Sequence, residues 1–259
     1  MMLGCAIRGN AWLAASILCL FCAPAFSQNN LTGKPGLVYS PHPFVTDDSR
    51  FVSTVTFTPA DHSINYFMLE YLDEVMVSGF LPLNDRLFLN FNLTYLPQLA
   101  DRVGIGDRHL DLSWLVVKEK GGWLPSLMLT VTAPFGQASF LSQDLVVVGK
   151  SFAFGSGSVA LSAGYGSPFF FFEGKYIRKK QFGVRYLSGG FAGLTYRPIP
   201  AVGLQAEYHG QGTHFSLFYL YEDKVSLKIN WLELQSFGFQ MTASFPLGFQ
   251  PREMRRYDR

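Results

Sequence analysis

The chain is short of charge. Of its 259 residues, 40 (15%) are Asp, Glu, Lys or Arg, where an ordinary soluble domain carries about 25%. Its formal net charge of +2 is too small and too evenly spread for a nucleic-acid binder, whose footprint would be a clustered basic face, so nucleic acid is excluded as a partner. Cysteine is nearly absent: Cys5, Cys19 and Cys22 all fall in the first 27 residues. A chain that loses this stretch has no disulfide framework, thiolate metal site or cysteine nucleophile. Long hydrophobic runs are missing too. Beyond residue 27 no 18 consecutive apolar residues occur, and the charge-free runs 121–143 and 151–172 are broken by Gly, Pro, Ser and Gln. Transmembrane helices are therefore not expected.

The first 27 residues carry one charge, Arg8, then an uncharged stretch from Ala11 to Cys22, then Ala25-Phe26-Ser27 with small residues at the first and third positions. This is the pattern of a secretory signal cut after Ser27. The last ten residues hold four arginines against Glu253 and Asp258, leaving the body from 28 to 249 at a net charge of −1. The expected organisation is a signal peptide over 1–27, one barrel domain over 28–249 and a basic tail over 250–259.

Period-two alternation dominates the body, as in strands whose two faces meet different surroundings. Phe215, Leu217, Tyr219 and Tyr221 alternate with His214, Ser216 and Glu222. Val225, Leu227, Ile229 and Trp231 alternate with Ser226, Lys228 and Asn230, and the odd positions from Phe237 to Phe249 are all apolar. Val202 to His209, Leu87 to Tyr95, Leu110 to Val116, Leu127 to Val131 and Val159 to Tyr165 read the same way. Weaker strand candidates lie near 37–42, 51–57, 65–71, 74–81 and 145–154. Turn signals such as Asn84-Asp85, Gly121-Gly122 and Gly155-Ser156-Gly157 separate them.

The fold class expected is all-β: a single antiparallel, up-and-down transmembrane β-barrel of about 12 to 14 strands. Aromatics recur toward strand ends (Tyr95, Trp114, Trp123, Tyr165, Tyr208, Tyr221, Trp231, Phe249), as interfacial girdles require. The apolar faces carry almost no charge. In hydrocarbon every backbone donor and acceptor must be paired internally, so a β protein spans only as a closed barrel. The expected location is the bacterial outer membrane, with outer-membrane lipid and lipopolysaccharide as surroundings. At this strand number the lumen should be wider than wall side chains alone fill. A soluble sandwich also alternates and is the competing fold.

The run Asn90 to Lys150 resembles the YjbH family of Gram-negative outer-membrane barrels. The residues that carry the resemblance are Leu96-Pro97, Asp101-Arg102, Gly104-Ile105-Gly106-Asp107-Arg108, Leu110-Asp111-Leu112-Ser113, and Pro125, Pro134, Phe135 and Gly136. Echoes follow at Lys150-Ser151-Phe152, Leu161 to Gly166, Phe191 to Leu194 and Ala206-Glu207-Tyr208. The resemblance implies a barrel that assists export or surface assembly of exopolysaccharide, with polysaccharide and periplasmic export proteins as partners; a small porin-like pore and a purely structural barrel are the other readings. It brings no catalytic residues and no cofactor.

Asp101, Arg102, Asp107, Arg108 and Asp111 form the densest charged cluster. With Glu207 and Lys228 they are the candidate lumen and ligand contacts, either as a charged constriction or sugar-binding rim or as a salt-bridge network that fills the interior. Lys175, Arg178, Lys179 and Lys180 follow Phe169 to Phe172 in an expected long loop, where a basic end could meet acidic polysaccharide or lipopolysaccharide phosphate. His214 and Ser216 share one face of a strand and raise a second reading, a lipid hydrolase similar to lipid A deacylase barrels. The alternation points both inward, away from lipid. The five histidines show no metal-ligand spacing.

Overall fold

The computed structural model describes residues 28–44, 50–63, 66–67, 70–102, 104–120, 122–133, 144–167, 187–210 and 212–247. The expected signal peptide, the basic tail and the loop lysines and arginine (Lys175, Arg178, Lys179, Lys180) lie outside the described residues.

Among the described residues fourteen strands form: β1 (Arg50–Thr58), β2 (Tyr66–Phe67), β3 (Glu70–Tyr71), β4 (Glu74–Pro82), β5 (Leu87–Tyr95), β6 (Ile105–Val117), β7 (Ser126–Thr132), β8 (Asp144–Phe154), β9 (Gly157–Gly166), β10 (Gly189–Ile199), β11 (Val202–Tyr208), β12 (Thr213–Tyr221), β13 (Val225–Leu232) and β14 (Ser236–Pro246). Twelve of them close a barrel in which each strand pairs antiparallel with its neighbours in sequence. β1 closes the ring by pairing with β14 on one side and β4 on the other. The hairpin β2–β3 stands apart from the ring. Apart from single 3-10 turns at Ala60–His62 and Pro97–Arg102, the described residues contain no helix.

Side-chain parity sorts the wall. On β12, Phe215, Leu217, Tyr219 and Tyr221 are exposed on the outer face, while His214, Ser216, Phe218 and Leu220 are buried inside. β13 repeats this with Leu227, Ile229 and Trp231 outside and Ser226, Lys228 and Asn230 inside. Among the twelve barrel strands the outward positions carry three charges, Arg108, Lys150 and Asp144, the last buried at the start of β8. Lys150 reaches the link after β6, where its Nζ lies 2.5 Å from Glu119 Oε1. A charge at a bilayer midplane costs about 2–4 kcal/mol for Arg or Lys, and this near-exclusion fits a lipid-facing surface. Stacked aromatic pairs mark both ends of the outer wall, Trp231 with Phe237 and Phe154 with Tyr196.

The two ends differ. At one, the links 83–86, 118–125, 155–156, 200–201 and 222–224 are short. At the other, the links 59–73, 96–104, 133–143 and 167–188 are long, and only 209–212 and 233–235 are tight. Short turns on one rim and long loops on the other is the asymmetry of barrels that insert from one side of a membrane. At the short-turn end Phe80, Phe88, Leu115 and Met128 form an apolar cluster inside the barrel.

The expectation that residues 37–42 add a wall strand is corrected. The whole segment 28–44 lies inside the barrel and is almost entirely buried. A strand-like alternation from Leu37 to Ser40 does not distinguish a segment that pairs with the wall from one that docks against its inner face.

Candidate functional site

The internal segment folds on itself before it meets the wall. Asn30 organises it: its Oδ1 accepts hydrogen bonds from the backbone N–H of Thr32 and Lys34 at 3.1 and 3.0 Å, and its Nδ2 donates to the Tyr39 carbonyl at 2.7 Å. Isolated bridges join Asn29 to Pro35 and Gly36 to Pro41. Gly33 sits at φ +76, and a Cβ there would lie 1.8 Å from Ser78 Oγ of the wall. Only glycine fits a left-handed position pressed this closely on another strand.

The wall then grips this compact segment through polar side chains. Glu207 on β11 is the principal hold: its carboxylate accepts hydrogen bonds from the backbone N–H of Val38 (2.9 Å), Tyr39 (3.1 Å) and Ser40 (3.1 Å). Successive backbone N–H groups around one anion make a nest, and bonds to an ionised acceptor are stronger than neutral ones. Lys228 on β13 does the converse, donating to the carbonyls of Asn29 (3.0 Å) and Leu37. Gln240 donates to the carbonyls of Asn29 and Asn30, and Gln205 to that of Gly36 at 3.2 Å. Near the short-turn end Ser226 donates to Gln28 Oε1 at 2.9 Å, and Asn29 Nδ2 donates to Thr54 Oγ1 at 2.9 Å. Near the long-loop end the Tyr39 hydroxyl donates to the His62 carbonyl at 3.2 Å, and its ring meets the edges of His209 and His214.

Apolar contacts complete the fit. Leu31, Val38 and Tyr39 join one buried cluster with Met76, Leu145, Val147, Leu187, Phe191 and Leu232 of the wall side. Two wall glycines make recesses: a Cβ at Gly149 would lie 2.6 Å from the Phe44 ring and 2.9 Å from Pro43, and one at Gly193 would lie 2.4 Å from Leu37.

One charged side chain of the segment reaches the wall. Lys34 Nζ lies 2.5 Å from Asp111 Oδ2, both groups essentially inaccessible. Asp111 also accepts a hydrogen bond from Thr132 Oγ1 at 2.5 Å, and His109 Nε2 stands 3.1 Å from its Oδ2. Burial lowers the Lys34 pKa from the usual lysine value, and the Asp111 carboxylate works in the opposite direction. Burial also pushes the His42 imidazole down to about 4.

The sequence candidates are thus separated by position. Asp111, Glu207 and Lys228 face the lumen and each contacts the internal segment. Asp107 is half-buried on the same inward parity of β6. Arg108, expected as a lumen contact, is exposed on the outer face, because a strand turns consecutive residues to opposite sides. Asp101 and Arg102 belong to the 3-10 turn at Pro97–Arg102 in a long link, away from the run of β6. His214 and Ser216 make no dyad: His214 Nε2 is 2.7 Å from His209 Nε2, and the Ser216 hydroxyl donates to Gln205 Oε1 at 2.8 Å. Both are buried in the interior, where a lipid ester would not reach them, and the geometry gives the hydrolase reading no support. The sequence reading missed the partner itself, residues 28–44. Its signal was a density of Asn, Gly and Pro in this stretch that suits a folded-back loop and disfavours a ladder strand.

No protein-family model matches the chain and no curated protein matches it, so the YjbH resemblance stands on its residues alone. Among solved structures the chain is similar to the COG4313 outer membrane channel from Pseudomonas putida F1, at 15% identity over 76% of this chain and 94% of that one, TM-score 0.33. It is also similar to the Acinetobacter baumannii outer membrane protein Omp33 (8% identity, 76% and 96% covered, TM-score 0.35) and to Pseudomonas aeruginosa OccK5 (12%, 75% and 62%, TM-score 0.26). Likeness at this level bears on neither ligand nor mechanism.

Proposed function

We propose that the protein is an outer-membrane pore held shut by its own N-terminal segment. The observation that carries this reading is the occupation of a polar lumen by residues 28–44. The wall grips them through a carboxylate nest, carbonyl-directed donors and one ion pair, with one apolar cluster around Leu31, Val38 and Tyr39 alongside. The segment begins beside Ser226 and leads into β1 at Arg50, both at the short-turn rim, so it can withdraw toward that rim without breaking the ring.

Support for the outer membrane comes from the lipid-compatible outer face, the asymmetric rims and the expected secretory signal. The resemblance to the YjbH family makes an extracellular polysaccharide the first cargo to examine, with periplasmic export proteins as the agents that would pull the segment out. Planar-bilayer recording tests the pore. The wild-type protein should be silent for most of the record and Glu207→Ala should show frequent openings. A Glu207→Ala protein that stays silent, while its segment is demonstrably released, removes the pore reading.

A further inference from the structure

We infer that the Asp111 pocket is a binding site for small alkylammonium solutes, which Lys34 occupies as a tethered surrogate. The inference rests on the reading of 28–44 as a removable segment and extends it to what the vacated lumen would take. Lys34 is the one Lys or Arg of residues 28–44. Its ammonium is directed into the wall, where Asp111 receives it at 2.5 Å.

The pocket is built for one point donor. Thr132 occupies the Oδ1 side of Asp111 and His109 stands on the Oδ2 side, which leaves room for an ammonium but not for the paired donors of a guanidinium fork. Its surroundings are neutral and polar. Asn90 is the cross-strand neighbour of Asp111, and Ser113 and Thr130 share a 2.9 Å hydrogen bond on the adjoining inward positions. His109 Nδ1 is buried with no hydrogen-bond partner. The wall as a whole favours cations once Lys34 leaves: the inward positions of the barrel strands carry Glu74, Asp107, Asp111 and Glu207 against Arg50, Arg197 and Lys228. A carboxylate held at low dielectric by fixed hydrogen bonds attracts an ammonium more strongly than one in water.

The test uses the full barrel with Lys34→Ala, which removes the surrogate ammonium and leaves space beside Asp111. Calorimetric titration with 1,5-diaminopentane should give saturable binding at least tenfold tighter than to wild type, and tighter than to Lys34→Ala/Asp111→Asn. Agmatine, with a guanidinium at one end, should gain less from Asp111 than the diamine, and 1-pentanol should not bind. Circular dichroism and the heat-dependent gel shift verify that both variants are folded barrels. Equal diamine binding to Lys34→Ala and to the double variant overturns the inference. Bilayer recordings of the same proteins separate it from the pore reading: diamine binding without added conductance in Lys34→Ala preserves the site and counts against the pore, and conductance without Asp111-dependent binding does the reverse.

Discussion

Glu207 holds three consecutive backbone N–H groups of the internal segment, more than any other wall side chain does. Truncating it leaves those donors buried without an acceptor, which costs roughly 3 kcal/mol of docking. Exposure of the segment should therefore rise about 100-fold. Ser40 offers a reporter, because its hydroxyl is buried and makes no hydrogen bond, and the body of the chain has no cysteine to compete. In a Ser40→Cys background, Glu207→Ala should raise the rate of thiol labelling by about two orders of magnitude. An unchanged rate would show that the carboxylate is not the hold. The inward position of Glu207, Asp111 and Lys228 was legible in the sequence, because residues two apart on a strand share a face and their neighbours Ala206, Leu112 and Leu227 are apolar. What each touches was not legible. The partners of Glu207 lie 167 to 169 positions away, and no local pattern encodes such a contact.

At the scale of elements, the strands most plainly marked in the sequence are those whose faces differ most. Phe215 to Tyr221 and Val225 to Trp231 alternate without fault because one side meets an apolar medium and the other a polar interior. β8 was a weaker candidate because Leu145 and Val147 are apolar yet face inward, packing against the internal segment, so its two faces look alike. The same docking explains Gly149. Its inward position has room only for hydrogen, and the nearest atoms a Cβ would meet belong to Phe44 and Pro43 of the segment. Gly149→Ala should thus disturb the segment and spare the barrel. Overpacking of about 1–3 kcal/mol should speed Ser40→Cys labelling by about fivefold or more while the heat-dependent gel shift of the wall stays as in wild type. Loss of the gel shift would instead place Gly149 in the structure of the wall.

At the scale of the molecule, a twelve-strand ring leaves more interior than its own side chains fill, and the chain supplies its own occupant. The ring was legible in the sequence as a strand number and a two-sided wall. The occupant was not, since alternation reports the surroundings of a face and not the identity of what covers it. Acid should loosen the closed state through His42. Docked, its pKa is pushed down to about 4 by burial, against about 6.5 for a free imidazole. Above that free value the group is neutral in both states and docking is at full strength. As pH falls toward 4 the released segment takes up a proton that the docked one refuses, which costs docking on the order of 3 kcal/mol. Relative to a free thiol labelled at the same pH, which corrects for the loss of thiolate in acid, Ser40→Cys labelling should accelerate between pH 6.5 and 4, with a smaller effect in His42→Asn. A pH dependence untouched by that substitution would assign the titration to another group.

Closure by residues 28–44 is tested most directly by fastening them to the wall. Asn29 and Thr54 already meet side chain to side chain at 2.9 Å. Cysteines at these two positions, in a Glu207→Ala protein expressed without residues 1–27, can be bridged by oxidation or a short dithiol cross-linker and freed by a reductant. Single-channel recording should show silence in the bridged state and openings that return on reduction. Currents that run equally in both states would contradict the account, since a pore indifferent to the position of this segment is not closed by it.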